Sequence, residues 1–327
     1  MGELPKPPYD AELGAALAQM PNAPMTREII PLMRKSIESM ASANHIISGG
    51  NISHEEITIP GPRGGILLSV FRLGNQAESG TKKPGIYFIH GGGMVAGNRF
   101  LGMDAVAEWI EECDAVCISV EYRLAPENPA PAPLEDCYTG LKWVGDNLET
   151  LGIDPEKLMI AGQSAGGGLA AGVALLVRDK GGPKLCAQCL CYPMLDDRNT
   201  TISSHQYATD GSWDRQKNLT GWSCLLGERA GGSEVDFYTA PGRATDLSGL
   251  PPTFIDVTSA EVFRDEDVAY ATLLWAAGVQ AELHVWPGGF HGSDMLIPTA
   301  VLSKIARATR KAWVSRTFSA KQGIGFL

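Results

Sequence analysis

Short apolar, β-branched runs alternate along the chain with longer stretches of helical periodicity. The first two runs, 55–60 (EEITIP) and 64–72 (GGILLSVFR), flank a Gly-Pro turn and predict a hairpin. Further strands are expected at 85–89 (GIYFI), 116–121 (VCISVE), 157–161 (KLMIA), 185–191, 253–258 (TFIDVT) and 281–286 (AELHVW). Helical patterns fall between them at 102–112, 135–149, 165–179, 266–277 and 298–315. Strands alternating with helices predict an α/β fold, with eight strands in one mostly parallel sheet and helices on both faces.

Two regions stand outside this alternation. Residues 1 to about 50 hold two helical segments broken by Pro21, Pro24 and Pro31, and the polar stretch from about 196 to 248 carries Trp213 and Trp222. Neither is long enough to stand as an independent domain. The expectation is a single domain over 1–327, with these two segments forming a helical cap above the C-terminal edge of the sheet, where α/β proteins bind ligands. Trp213 and Trp222 are candidates for lining the pocket under that cap, although burial within the cap is the role expected of each.

Composition narrows the classes of function. With 27 basic against 37 acidic residues the net charge is −10, which argues against a nucleic-acid partner. The purest small and apolar run, from Gly166 to Val177, covers 12 residues, short of the roughly 18 that a membrane span requires. Glu3, Asp10, Glu12 and several prolines stand where a secretory signal would be basic and then apolar, so a cytoplasmic location is expected. The 7 cysteines, an odd number, do not form a secreted disulfide framework, and the CxxC between Cys186 and Cys189, with Cys191 beside it, lacks a second ligand pair at zinc spacing. No metal is expected. Asn51, Asn199 and Asn218 head glycosylation triplets that are idle without export.

The chemistry is concentrated at strand ends. The strand at 157–161 runs into Gly162-Gln163-Ser164-Ala165-Gly166, and a small-residue helix follows. G-x-S-x-G between strand and helix places Ser164 on a tight turn as a candidate nucleophile, with glycines leaving room for the backbone. The overlapping GGGLAA at 166–171 matches a loose dinucleotide fingerprint. It would lie one turn inside the helix, and the acid that should bind a ribose is missing, so no nicotinamide or flavin cofactor is expected. The strand GIYFI ends in His90-Gly91-Gly92-Gly93. Backbone N–H groups of Gly91 and Gly92, with that of Ala165, complete an oxyanion hole on paper.

A serine needs a base and an orienting carboxylate. In hydrolases of this design the acid and then the histidine follow the serine in the chain. His205, His284 and His291 qualify by order. His284 lies inside a strand and His205 in the cap segment, whereas His291 follows the last strand in PGGFHG and is the expected base. For the acid, Glu261, Asp265, Glu266 and Asp267 compete, with Asp256 inside the strand. Glu261 is favoured because it is nearest the strand end without being in it; the other three open the next helix, where acids complement the dipole.

These residues resemble the hormone-sensitive lipase-like family of α/β-hydrolases from about residue 55 to 315. HGGG is His90–Gly93, YRLAPE is Tyr122–Glu127 with Glu135-Asp136 after a proline-rich stretch, and GxSAGG is Gly162–Gly167. The resemblance implies a cap built from the N-terminal helices and the segment after the sixth strand. Gln163 departs from the aspartate common before the nucleophile. The family's acid motif, similar to DPLRDE, has its RDE matched by Arg264-Asp265-Glu266, which puts Glu261 at the catalytic aspartate. The function implied is a cofactor-free serine carboxylesterase acting on small-molecule esters with small or medium acyl groups. A lactonase or an amidase would use the same residues, and a non-catalytic receptor on the same fold would lack the base that His291 supplies. Whether the chain is a homodimer is left open.

Overall fold

In the computed structural model, residues 4–49, 51–74 and 81–320 are described. Eight strands form one sheet: β1 (Ile52–Gly61), β2 (Gly64–Leu73), β3 (Lys83–Ile89), β4 (Val116–Glu121), β5 (Ile153–Gln163), β6 (Ala187–Cys191), β7 (Thr253–Thr258) and β8 (Ala281–Trp286). Their order is β1-β2-β4-β3-β5-β6-β7-β8, antiparallel from β1 through β2 to β4 and parallel from there on. β1 and β2 pair as the hairpin expected from the Gly-Pro turn, closing at Gly61↔Gly64 around Pro62 and Arg63. β5 begins at Ile153, earlier than its apolar run, because the polar stretch before Leu158 still reaches Lys83 of β3 across a register shift.

The helices are α1 (Ala11–Leu17), α2 (Ile30–Met40), α3 (Ala43–Ile47), α4 (Met103–Cys113), α5 (Ala132–Asp146), α6 (Leu148–Leu151), α7 (Ala165–Lys180), α8 (Ile202–Gln206), α9 (Arg215–Leu226), α10 (Arg264–Ala276), α11 (Ser293–Leu296) and α12 (Val301–Ser319). The N-terminal region departs from expectation. Pro31 does not break a helix but sits in the first turn of α2, where its missing N–H costs nothing. Three short helices therefore occupy residues 11–47 instead of two. Likewise Pro133 lies in the first turn of α5, which starts three residues before the expected point.

Two large apolar clusters, one on each face of the sheet, form the core. The YRLAPE stretch and the downstream Glu135-Asp136 act structurally here. Arg123 donates from Nε and Nη2 to the two oxygens of buried Asp136 at 2.7 Å each, tying the turn after β4 to α5. α7 explains the small-residue run. Its residues Ala165 to Leu176 are all buried, and neighbouring backbone presses directly on two glycines. A Cβ on Gly168 would stand 2.0 Å from Met194 O, and one on Gly172 2.1 Å from Tyr238 O. The same packing leaves no space for a pyrophosphate against these glycines.

Helix propensity alone would make Gly168→Ala stabilising by about 1 kcal/mol. The close approach of Met194 O reverses the sign: a loss of about 1–3 kcal/mol is expected from urea unfolding followed by far-ultraviolet circular dichroism. An unchanged or raised midpoint would contradict this packing.

Candidate active site

β5 delivers Ser164 to the C-terminal edge of the sheet in a backbone conformation, φ 54° and ψ −124°, that L-residues rarely adopt. Such strain costs on the order of 1–3 kcal/mol and persists only where the surroundings enforce it. Here Ser164 N donates to Cys191 O at 2.9 Å, while Ser164 O accepts from Gly168 N at 3.1 Å and Met194 N at 2.9 Å. The motif glycines are required by contact. A Cβ on Gly162 would lie 2.1 Å from Gly166 O, and one on Gly166 would lie 2.1 Å from Ile89 O.

His291 follows β8, and its Nε2 accepts from Ser164 Oγ at 2.9 Å. Its Nδ1 donates to Glu261 Oε1 at 2.8 Å. Glu261 Oε2 in turn accepts from Thr258 Oγ1 at 2.6 Å and Thr258 N at 3.0 Å. Both carboxylate oxygens are thereby committed, and Glu261 is 1% exposed against 8% for Ser164 and His291. Tyr192 and Phe263 meet the imidazole edge to face, at centroid distances of 5.1 and 4.9 Å, and fix its plane. Ser212, from the segment between β6 and β7, donates to His291 O.

The glycine turn after β3 lies against the serine: a Cβ on Gly91 would meet Ser164 Cβ at 3.3 Å. His90 is buried and stacked on Tyr122 at 4.2 Å; its Nδ1 donates to Gly91 O at 2.7 Å, and burial lowers its pKa below the usual imidazole value. Because the peptide unit is planar, holding the Gly91 carbonyl also sets the direction of the Gly92 N–H. Ala165 is the first residue of α7, so its N–H has no partner within the helix.

A cavity of about 500 Å³ opens onto Ser164, His291 and Gly91 to Gly93. Met33, Ile37 and Met40 of α2 and Ile46 of α3 form one wall, and Trp213 another. Trp213 therefore lines the cavity instead of being enclosed by the cap, because its ring rests on Gly93, whose missing Cβ would stand 2.4 Å away. Trp222, by contrast, is fully buried and does not line it. His205 is exposed on α8, and His284 stacks on Trp286 within β8, so the structure brings neither to the serine. Cys189 and Cys191 are buried in β6 within the apolar core.

Asp265, Glu266 and Asp267 stand in the first turn of α10, as expected, and each is also engaged or enclosed by the fold. Asp265 accepts from Ser203 N, and Glu266 Oε1 caps Leu195 N and Asp196 N at 2.8 and 3.1 Å. Asp267 is fully buried, and neither of its oxygens has a hydrogen-bond partner among the described residues. Burial, reinforced by Glu266 and Glu261, pushes its carboxyl well above the usual range. The contribution of Thr258, Tyr192, Phe263 and Ser212 was not read from the sequence; only Thr258, three residues before Glu261 at the strand end, left a local signal.

Two outcomes follow from these acids. Glu261→Gln should lose far more ester-hydrolysing activity than Asp265→Asn, with both variants folded by circular dichroism; the reverse ranking would move the acid to Asp265. For Asp267, a carboxyl with a raised folded pKa binds its proton more tightly when folded, so its contribution is most favourable below about pH 4 and declines as pH rises toward the folded pKa. Asp267→Asn should therefore gain stability relative to wild type between pH 4 and pH 8 in urea unfolding, and a pH-independent difference would contradict the burial of this group.

A family model for the alpha/beta hydrolase fold matches residues 86–295. Carboxylesterase NlhH of Mycobacterium tuberculosis is 38% identical over 215 residues, 64% of this chain and 66% of that protein, just under two thirds of its length. Esterase LipI of the same organism is 34% identical over 258 residues, covering 75% of this chain and 77% of LipI. Among solved structures, a bacterial heroin esterase superposes with a TM-score of 0.86 at 35% identity, over 95% of this chain and 98% of that one. The chain belongs to the hormone-sensitive lipase-like family of alpha/beta hydrolases.

Proposed function

We propose that the chain is a serine carboxylesterase in which Ser164 is the nucleophile, His291 the general base and Glu261 the orienting acid. The observation that carries this is the unbroken hydrogen-bond chain from Thr258 through Glu261 and His291 to Ser164 Oγ, ending on a strained turn beside the glycine loop. Carboxylesterase NlhH and esterase LipI, named for this chemistry, support it.

Ser164 Oγ attacks the ester carbonyl carbon while its proton passes to His291 Nε2. The carbonyl oxygen takes up the negative charge and receives hydrogen bonds from the N–H groups of Gly91, Gly92 and Ala165, each worth about 100- to 1,000-fold in rate in comparable sites. Glu261 stabilises the imidazolium and keeps its Nδ1 as the donor. As the carbon–oxygen bond breaks, His291 Nε2 returns the proton to the departing alcohol. Water, deprotonated by the same nitrogen, then attacks the acyl-enzyme, and the second tetrahedral intermediate collapses to release the acid as His291 Nε2 returns that proton to Ser164 Oγ.

The described residues 4–49 and about 196–248 act in this reading as a cap on a single domain. The support is that α2, α3, Ser212 and Trp213 all border the cavity over Ser164. Its volume suits small or medium acyl esters.

Hydrolysis of a short 4-nitrophenyl ester tests the assignment. Ser164→Ala should lose about a thousand-fold or more in kcat while keeping its fold. Comparable rates in wild type and variant would sink it.

A further inference from the structure

One feature of the cavity is not used by the triad. Asp104, in the first turn of α4, is the only aspartate, glutamate, lysine or arginine among the described residues that line it. It belongs to the wall that continues from Phe100, Leu101 and Gly102 to Gln163, the neighbour of Ser164. Gln163 Nε2 lies 3.4 Å from Leu101 O and 3.6 Å from Met295 Sδ, and a Cβ on Gly102 would stand 2.0 Å from that same nitrogen.

The negative charge at this wall is not cancelled. Arg307 donates to Asp104 Oδ2 at 2.9 Å but also to Glu108 Oε1 at 2.7 Å, so one cation serves two anions. That cluster of Arg307, Asp104 and Glu108 keeps one negative charge in excess. Asp104 Oδ1 takes no hydrogen bond from the described residues, and the side chain is 39% exposed. The same cavity is lined by the apolar or aromatic Phe100, Tyr192, Met295 and Leu296, together with the uncharged polar Ser42 and Gln163 and with His45. Such surfaces suit a cation whose charge is spread over alkyl groups.

Resting on the esterase reading, we propose that this wall selects esters carrying an alkylated ammonium group in their acyl or alcohol part, with Asp104 as the specificity-determining residue. An ester bearing a second carboxylate meets like charge at the same place and is disfavoured. Opposite unit charges about 7 Å apart change binding by about 3- to 50-fold between effective dielectric constants of 80 and 20. The exposure of Asp104 places the effect toward the lower end.

The test compares esters bearing a trimethylammonium group with their uncharged tert-butyl isosteres, one pair modified on the acyl side and one on the alcohol side, together with a carboxylate-bearing ester. Asp104→Asn is expected to lower the ammonium to tert-butyl ratio of kcat/KM at least three-fold in one pair, chiefly through KM, and 1 M salt should shrink the difference. Asp104→Lys should reverse the preference between ammonium and carboxylate. Glu112→Gln, farther along α4, should leave the ratio as in wild type. A ratio unmoved by both Asp104→Asn and Asp104→Lys overturns the proposal. Calorimetric binding of the same pairs to Ser164→Ala, with and without Asp104→Asn, reads the ratio without turnover. A wild type that fails to hydrolyse a short 4-nitrophenyl ester would overturn the esterase reading, while the binding ratio would still decide the charge preference.

Discussion

Ser164 is held at positive φ where β5 turns into α7, and the rest of the site is arranged around that one unfavourable backbone conformation. The turn sets the hydroxyl against His291 and opens α7, whose first N–H has no partner within the helix. Its cost is met by packing that leaves no alternative. Three backbone hydrogen bonds hold the serine peptide units, and Gly162 and Gly166 approach each other and β3 so closely that no larger residue fits. The small residues of α7 extend the same close contact along the helix.

The partners of Ser164 arrive from distant parts of the sequence: His291 lies 127 positions after it, and Glu261 falls within that interval, 30 positions before His291. A buried ionic cluster joins their supports. Arg310 of α12, 3% exposed, donates to Asp256 of β7 at 2.7 Å and to Asp294 of α11 at 2.9 Å. β7 leads to Glu261 and α11 follows His291, so one guanidinium spans the supports of both side chains. It also lies over the ring of Tyr192, whose edge contacts His291. Removing one member of such a buried pair typically costs about 3–5 kcal/mol because its partner's charge is stranded.

Much of this was legible in the sequence, and the reasons differ by element. The parallel strands were visible as continuous apolar runs because they are covered on both faces, and their ends located Ser164, the glycine loop and His291. Glu261 was readable from its position after β7. Other features depend on contacts that no local pattern encodes. Trp213 lines the cavity only because Gly93, 120 residues earlier, leaves a place for its ring. Asp267 looks like an ordinary helix-opening acid, yet its position on α10 turns it into the core. Pro31 resembles a breaker until the start of α2 is known.

The central claim is that the turn at Ser164, the imidazole of His291 and the N–H groups of Gly91, Gly92 and Ala165 form one preorganised acyl-transfer site. A crystal structure after reaction with an alkyl phosphonate tests it most directly, because the adduct imitates the tetrahedral intermediate. The account requires phosphorus bonded to Ser164 Oγ, with the phosphoryl oxygen about 2.7–3.1 Å from those three nitrogens and the triad distances preserved. A phosphoryl oxygen turned away from the glycine loop, or an adduct on any other residue, would contradict it.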